Sequence, residues 1–175
     1  MKNTLETARG TPLVRKALEA DIPAMLEVVR DAARWLEARG SSQWSRMLGP
    51  FGLELVARRV RGGHAFLTEA GGRAVATVTA PFEDVFGWGE KGKDGTAGYV
   101  NGLAVTREYS GARMGRDLLM WAVHYIGESR PMARTDCMAG NPGLKHFYEE
   151  AGFVFVEPCV LEGHFPALRF ERPAR

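Results

Sequence analysis

Between Tyr99 and Phe153 the hydrophobic pattern switches from strand-like to helical and back, twice over, and few architectures accept that order. Tyr99-Val100-Asn101-Gly102-Leu103-Ala104-Val105 is mostly apolar after its start, as a strand buried between two layers should be, and it ends at Thr106. After Arg107-Glu108-Tyr109 and the segment Ser110 to Arg116, Leu118, Leu119, Ala122, Val123 and Ile126 recur at helical spacing. Met132 to Met138 reads as a second strand, and Ala139-Gly140-Asn141-Pro142-Gly143 turns it into another helix. Asn141 suits the N-cap and Pro142 the first helical position. Leu144, Phe147, Tyr148 and Ala151 keep a three- and four-residue spacing until Gly152 stops the helix and Phe153 to Val156 starts a strand.

The segment Ser110-Gly111-Ala112-Arg113-Met114-Gly115-Arg116 therefore lies at a helix N-terminus. Unpaired N–H groups and about half a positive charge from the helix dipole make such a place an anion site. Gly111 and Gly115 let a phosphate approach the backbone, and Arg113 or Arg116 can add a guanidinium. The bland alternative is a simple glycine-bearing connection. No Gly-Lys-Ser/Thr follows the turn, and no G-x-G-x-x-G with a later acidic partner is present, so the two commonest nucleotide loops are excluded. Tyr148 falls on the inward face of its helix, where its phenol needs a polar partner, as a core tyrosine or as a reactive group.

On these residues the chain resembles the GCN5-related N-acetyltransferase (GNAT) superfamily. The resemblance rests on Leu103-Ala104-Val105, on Ser110 through Gly115, and on Asn141 through Phe153, and extends from Leu13 to about Phe170. It implies an α/β (α+β) fold with a mixed, mostly antiparallel central sheet flanked by helices and a splay between the fourth and fifth strands. It also implies transfer of an acetyl group from acetyl-CoA to a primary amine by direct attack, through a tetrahedral intermediate. In the family, a Q/R-x-x-G-x-G/A turn holds the cofactor pyrophosphate. Here Ser110 replaces Gln or Arg, Arg113 replaces the first Gly, and only Gly115 matches, although Arg113 does not enter positive φ without cost. Carried over residue by residue, the turn Ser110, Gly111, Ala112, Arg113, Met114, Gly115 and Arg116 holds acetyl-CoA, with Leu103, Ala104 and Val105 on the pantetheine arm. The backbone at Leu103 polarises the thioester, Asn141 is a polar contact to the cofactor, and Tyr148 matches the general acid that protonates the departing thiolate.

The rest of the chain agrees with this order. Leu13 to Ala17 reads as a strand. Asp21 caps a helix with Pro23 in its first turn and a stripe of Ile22, Met25, Leu26, Val29, Ala33 and Leu36, and Gly40 ends it. A second helix runs from about Gly52 to Arg61. Ala65 to Glu69 and Ala74 to Thr79 flank Ala70-Gly71-Gly72-Arg73 as a hairpin, and a last strand covers Ala167 to Glu171. With 175 residues, 45% of them hydrophobic, one domain over residues 1–175 is expected, its ordered core at about 11–171 and both ends frayed.

Apolar runs are broken by charge well before membrane-spanning length, and Met1 to Glu6 lacks a signal-peptide core. Cys137 and Cys159 give neither a disulfide framework nor metal spacing, and His64, His124, His146 and His164 form no ligand cluster, so no metal and a cytoplasmic setting are expected. A net charge of +2 gives no ground for nucleic-acid binding. The one basic run, Arg58-Arg59-Val60-Arg61, reads as a solvated helix end.

For the acceptor, the segments Gly40 to Arg46 and Pro81 to Glu90 offer Trp44, Glu83, Asp84 and Trp88: carboxylates for an ammonium and aromatic walls for the rest of a small molecule. Both tryptophans equally suit loop anchors. Glu83, Asp84 and Asp136 are the candidate bases that deprotonate the amine, with Arg134 on the strand face of Asp136. A peptide or protein amine, a non-catalytic acyl-CoA-binding module and an interaction domain are the alternatives, and a homodimer is carried as the candidate assembly.

Overall fold

The structure, a computed structural model, describes residues 3–5, 10–111, 113–161 and 163–175; the expected cofactor contact at Ala112 lies outside them. In chain order the elements are β1 (Leu13–Lys16), α1 (Ile22–Glu37), α2 (Pro50–Arg61), β2 (Ala65–Ala70), β3 (Arg73–Thr79), α3 (Val85–Trp88), β4 (Ala97–Tyr99), β5 (Asn101–Val105), α4 (Met114–Gly127), β6 (Met132–Met138), α5 (Pro142–Glu150), β7 (Val154–Leu161) and β8 (Phe165–Pro173). The residues divide into two compact units, Met1–Thr79 with Gly102–Leu119, and Ala80–Asn101 with Met120–Arg175. Neither unit is one stretch of chain, and the last crossing falls inside α4, so the division does not separate sequential domains.

The first unit is built on a four-stranded sheet in the order β1-β2-β3-β5. β1 and β3 flank β2 antiparallel, and Gly71 (φ +57°) and Gly72 (φ +74°) make the tight hairpin turn expected between β2 and β3. α1 buries Ile22, Met25, Leu26, Val28, Val29 and Ala33, which pack with Val56 and Val60 of α2 and with Ala65, Leu67 and Ala104 of the sheet. Asp21 occupies the N-cap of α1 without capping it by its side chain. Its carboxylate instead receives the Leu18 N–H at 2.7 Å and both terminal nitrogens of Arg15, while Arg15 also reaches Glu69. The Arg15 bonds hold the Asp21 pKa down to about 2.

The second unit carries the order β4-β6-β8-β7, with β4 parallel to β6 and β8 antiparallel to both of its neighbours. The mixed, mostly antiparallel α/β arrangement is thus the one expected. The expected single strand from Tyr99 to Val105 is not: it is two strands in different sheets. β4 pairs with β6 only as far as Tyr99↔Arg134, Val100 donates its N–H to the Arg134 carbonyl, and Gly102 takes φ +58° just inside β5, an irregularity that only glycine accepts cheaply.

Toward both ends, described residues make contacts with the rest of the chain. Leu5 is buried and bonds to the Pro12 carbonyl, and Asn3 accepts from Val14. At the other end Ala174 is buried, its N–H donates to Pro131, and Arg175 donates to the Gly127 carbonyl. A Cβ on Gly127 would lie 2.3 Å from the Ala174 oxygen, so that glycine admits the chain end.

Candidate active site

In the first unit the expected cofactor residues fall on β5 and the approach to α4. β5 ends its strand order, so one of its edges has no neighbour within its own sheet. Thr106 gives its N–H to Val75 of β3 at 2.9 Å. Since strand N–H groups alternate sides, Ala104 shares that side, and Leu103 and Val105 direct theirs to the open edge. Ala104 is buried in the α1–α2 core, while Leu103 and Val105 are half-buried.

A 3-10 turn at Arg107–Tyr109 follows, tied to α1 by the Arg107 N–H on Asp31 at 2.7 Å. Ser110 is extended, Gly111 stands at φ +78°, and α4 opens with buried Met114. Arg113 adopts φ +60°, the left-handed shape that the family pattern assigns to glycine there. A non-glycine residue holds that shape at a cost of about 1–2 kcal/mol. A Cβ on Gly111 would meet nothing within 4 Å and one on Gly115 only the Val105 side chain at 3.7 Å, so the backbone of the turn is open to approach. Trp44 also has positive φ, at +82°, and packs partly buried against the α1–α2 core.

In the second unit the residues divide between two sheet faces. Arg134 and Asp136 of β6 share one face with Arg169 and Glu171 of β8, their register partners, and Thr135 and Phe170 point to the other. α5 covers the Thr135 face. Asn141 caps it, accepting the Leu144 N–H at 3.0 Å, with Pro142 in the first turn. Tyr148 is 5% exposed, ringed by Phe147, Phe153 and Phe170, and its hydroxyl bonds to that of Thr135. Thr135 donates its hydroxyl proton to the Val100 carbonyl at 2.9 Å. Burial raises the Tyr148 pKa well above the ordinary tyrosine value and keeps the phenol protonated.

The opposite face carries the segment from Pro81 to Asp94. Asp84 caps the single turn of α3, accepting the Gly87 N–H at 2.8 Å on one oxygen and the Asn101 amide at 3.1 Å on the other. A Cβ on Gly87 would lie 2.7 Å from an Asp84 oxygen and 3.0 Å from one of Asp136. The bare α-carbon of Gly87 therefore lets two expected acidic candidates converge. Glu83 is exposed outside this cluster.

Trp88 was expected as an exposed wall or as an anchor, and it is 2% exposed. Its ring lies against Tyr99 and is faced by the guanidinium groups of Arg134, at 4.9 Å, and Arg169, at 5.4 Å, which makes it the anchor. The exposed aromatic of the segment is its neighbour Phe86, at 68%. Arg134 donates to Asp94, Glu171, the Tyr99 hydroxyl and the Lys91 carbonyl, and Arg169 donates to the Gly87 carbonyl and Glu157. Burial opposes the Arg134 charge, yet its bonds to Asp94, Tyr99 and Glu171 raise its pKa above the ordinary arginine value. The Thr96 hydroxyl and N–H, with Arg134, hold Asp94 down to about 2. Gly87, Phe86, Thr135 and Arg169 had no place in the sequence reading. Thr135 alone had a legible signal, as the polar residue of opposite parity between Arg134 and Asp136.

Among the described residues no group of three His, Cys, Asp or Glu is placed to hold a metal ion, and no helix is long and apolar enough to cross a membrane. Residues 24–153 match the acetyltransferase (GNAT) family. A curated relative, the uncharacterized N-acetyltransferase YesJ of Bacillus subtilis, is 31% identical over 147 residues, which cover 80% of each chain. A GNAT-family acetyltransferase of Listeria monocytogenes has a solved structure with TM-score 0.80 and 25% identity, covering 98% of this chain and 99% of that one. The fold is shared with yncA of Salmonella typhimurium, a structure described as holding its cofactor acetyl-CoA, at TM-score 0.66 and 16% identity over 94% of each chain. With the match to the family profile covering most of its length, the chain belongs to the acetyltransferase (GNAT) family and is an N-acetyltransferase.

Proposed function

We propose that this enzyme moves an acetyl group from acetyl-CoA to the primary amine of a small molecule. The observation that carries the cofactor reading is the pair of left-handed residues, Gly111 and Arg113, leading into α4. The helix N-terminus that follows offers unpaired N–H groups and its dipole to an anion. Such a turn from Ser110 to Arg116 suits the pyrophosphate, with Asn141 as a further polar contact. Acetyl-CoA supplies an acyl group activated as a thioester.

On this reading the open edge of β5 receives the pantetheine arm, and the Leu103 N–H donates to the carbonyl oxygen as charge develops there. One such donor is worth about 2.7–4 kcal/mol. Asp136 takes a proton from the attacking amine, with Asp84 beside it at Gly87 drawing the ammonium in. The new C–N bond replaces the C–S bond, and Tyr148 gives its proton to the sulfur. Burial keeps the Tyr148 phenol in its protonated form, which a general acid requires.

The test is incubation of the protein with acetyl-CoA and a library of amines, followed by mass spectrometry. Acetylated small amines with equimolar free CoA are expected. Binding of acetyl-CoA without any product would overturn the reading in favour of a binding module, and a peptide amine accepted in preference to every small one would reassign the acceptor.

A further inference from the structure

Gly87 sits in the single turn of α3, where the chain has no need of a glycine's shape: its φ lies outside the left-handed region, and glycine loses more backbone entropy there than alanine would. What excludes a side chain is space. A Cβ at this position would stand 2.7 Å from Oδ2 of Asp84 and 3.0 Å from Oδ2 of Asp136, so the two carboxylates meet over a bare α-carbon. The peptide groups of Gly87 fix it there. Its N–H donates to Oδ1 of Asp84 at 2.8 Å, and its carbonyl accepts at 2.9 Å from Nε of Arg169, the β8 residue in register with Asp136. Asp84 is held from its other side too, since the Asn101 amide donates to the same Oδ2 at 3.1 Å.

Two anionic groups brought this close repel each other, and a cation between them removes that cost. We infer that Gly87 is the positioning residue of the acceptor base: the room left by its missing side chain lets Asp136 stand beside Asp84, so that one substrate ammonium meets both carboxylates and gives its proton to Asp136. The N–H bond breaks toward an Asp136 oxygen, its electron pair stays on nitrogen for attack on the thioester, and the carboxyl group passes the proton to water. This rests on the assignment of Asp136 as the base. A methyl group at position 87 pushes the pair apart while the main chain of α3 accepts it.

The experiment uses the alkylamine that the wild type acetylates fastest and its alkoxyamine isostere, in which oxygen replaces the carbon beside nitrogen. At neutral pH the first is an ammonium ion and the second is uncharged. Both are assayed by CoA release with the wild type, Gly87→Ala, Asp136→Asn and the double variant. Gly87→Ala should lower kcat for the alkylamine by about tenfold or more, part of the roughly hundredfold that a positioned base supplies. Its kcat for the alkoxyamine and its acetyl-CoA KM should stay within about threefold of wild type. The double variant should be no slower than Asp136→Asn, since both changes remove the same proton transfer. A Gly87→Ala enzyme that is as fast as wild type on the alkylamine, equally slow on both acceptors as a damaged fold would be, or additive with Asp136→Asn would overturn the inference while leaving the base in place. Wild-type rates in Asp136→Asn would remove the base itself, and this inference with it.

Discussion

The turn before α4 and the segment from Pro81 to Asp94 hold site residues by opposite means. In the first, the shape of the main chain is the working part: Gly111 and Arg113 are left-handed, and the space around Gly111 is open. In the second, side chains fix the backbone, through the Asp84 cap, the Arg134 bonds and the stacked indole of Trp88. A backbone device tolerates changes of residue type, which explains how Ser110 and Arg113 stand where the family prefers other residues. A side-chain lattice tolerates few.

Four substitutions probe that contrast. Tyr148→Phe should lower kcat by about a hundred- to ten-thousand-fold while acetyl-CoA KM stays within a few-fold, measured by CoA release. Retention of wild-type turnover would remove the general acid. Arg134→Met should cost about 2 kcal/mol in urea denaturation, because the Tyr99 hydroxyl and the Lys91 carbonyl lose a donor; the third-exposed Asp94 and Glu171 limit the loss.

On the backbone side, Arg113→Gly should stabilise the fold by about 0.5–1 kcal/mol, relief of left-handed strain exceeding the added chain entropy. Its acetyl-CoA KM should rise by less than about tenfold. A larger rise would mean that the guanidinium, not the main chain, holds the phosphate. The smallest effect concerns acid. Asp94 and Asp21 both have folded pKa values near 2, below the ordinary 3.8, so their contributions are complete above about pH 4 and disappear as pH falls through about 2. Asp94→Asn should flatten part of the fall in denaturation midpoint between those limits.

The same contrast decides what was legible in the sequence. Periodicity and punctuation found the helices, the Gly71-Gly72 hairpin, the Asn141 cap and the inward face of Tyr148, because each is set within a few residues of chain. The break at Val100 was hidden, since Tyr99 to Val105 is mostly apolar and a single residue separates strands of two sheets. Trp88 and Phe86 are two residues apart with similar chemistry, and which of them faces solvent is decided by Arg134 and Arg169, far along the chain. The reach of the half-buried Arg59 to Gly102 was likewise invisible: an arginine at a helix end has an adequate local explanation, and Gly102 lies 43 positions away.

β8 follows every other strand in chain order, yet it lies between β6 and β7. During synthesis the second sheet therefore waits for its middle: until residues 165–173 emerge, β6 and β7 have no common neighbour and each displays a bare row of amides and carbonyls. A chain interrupted near residue 162 would lose an interior plank and gain two sticky rims, so ribosomal stalling or proteolytic clipping there leads to aggregation instead of a slightly shortened enzyme.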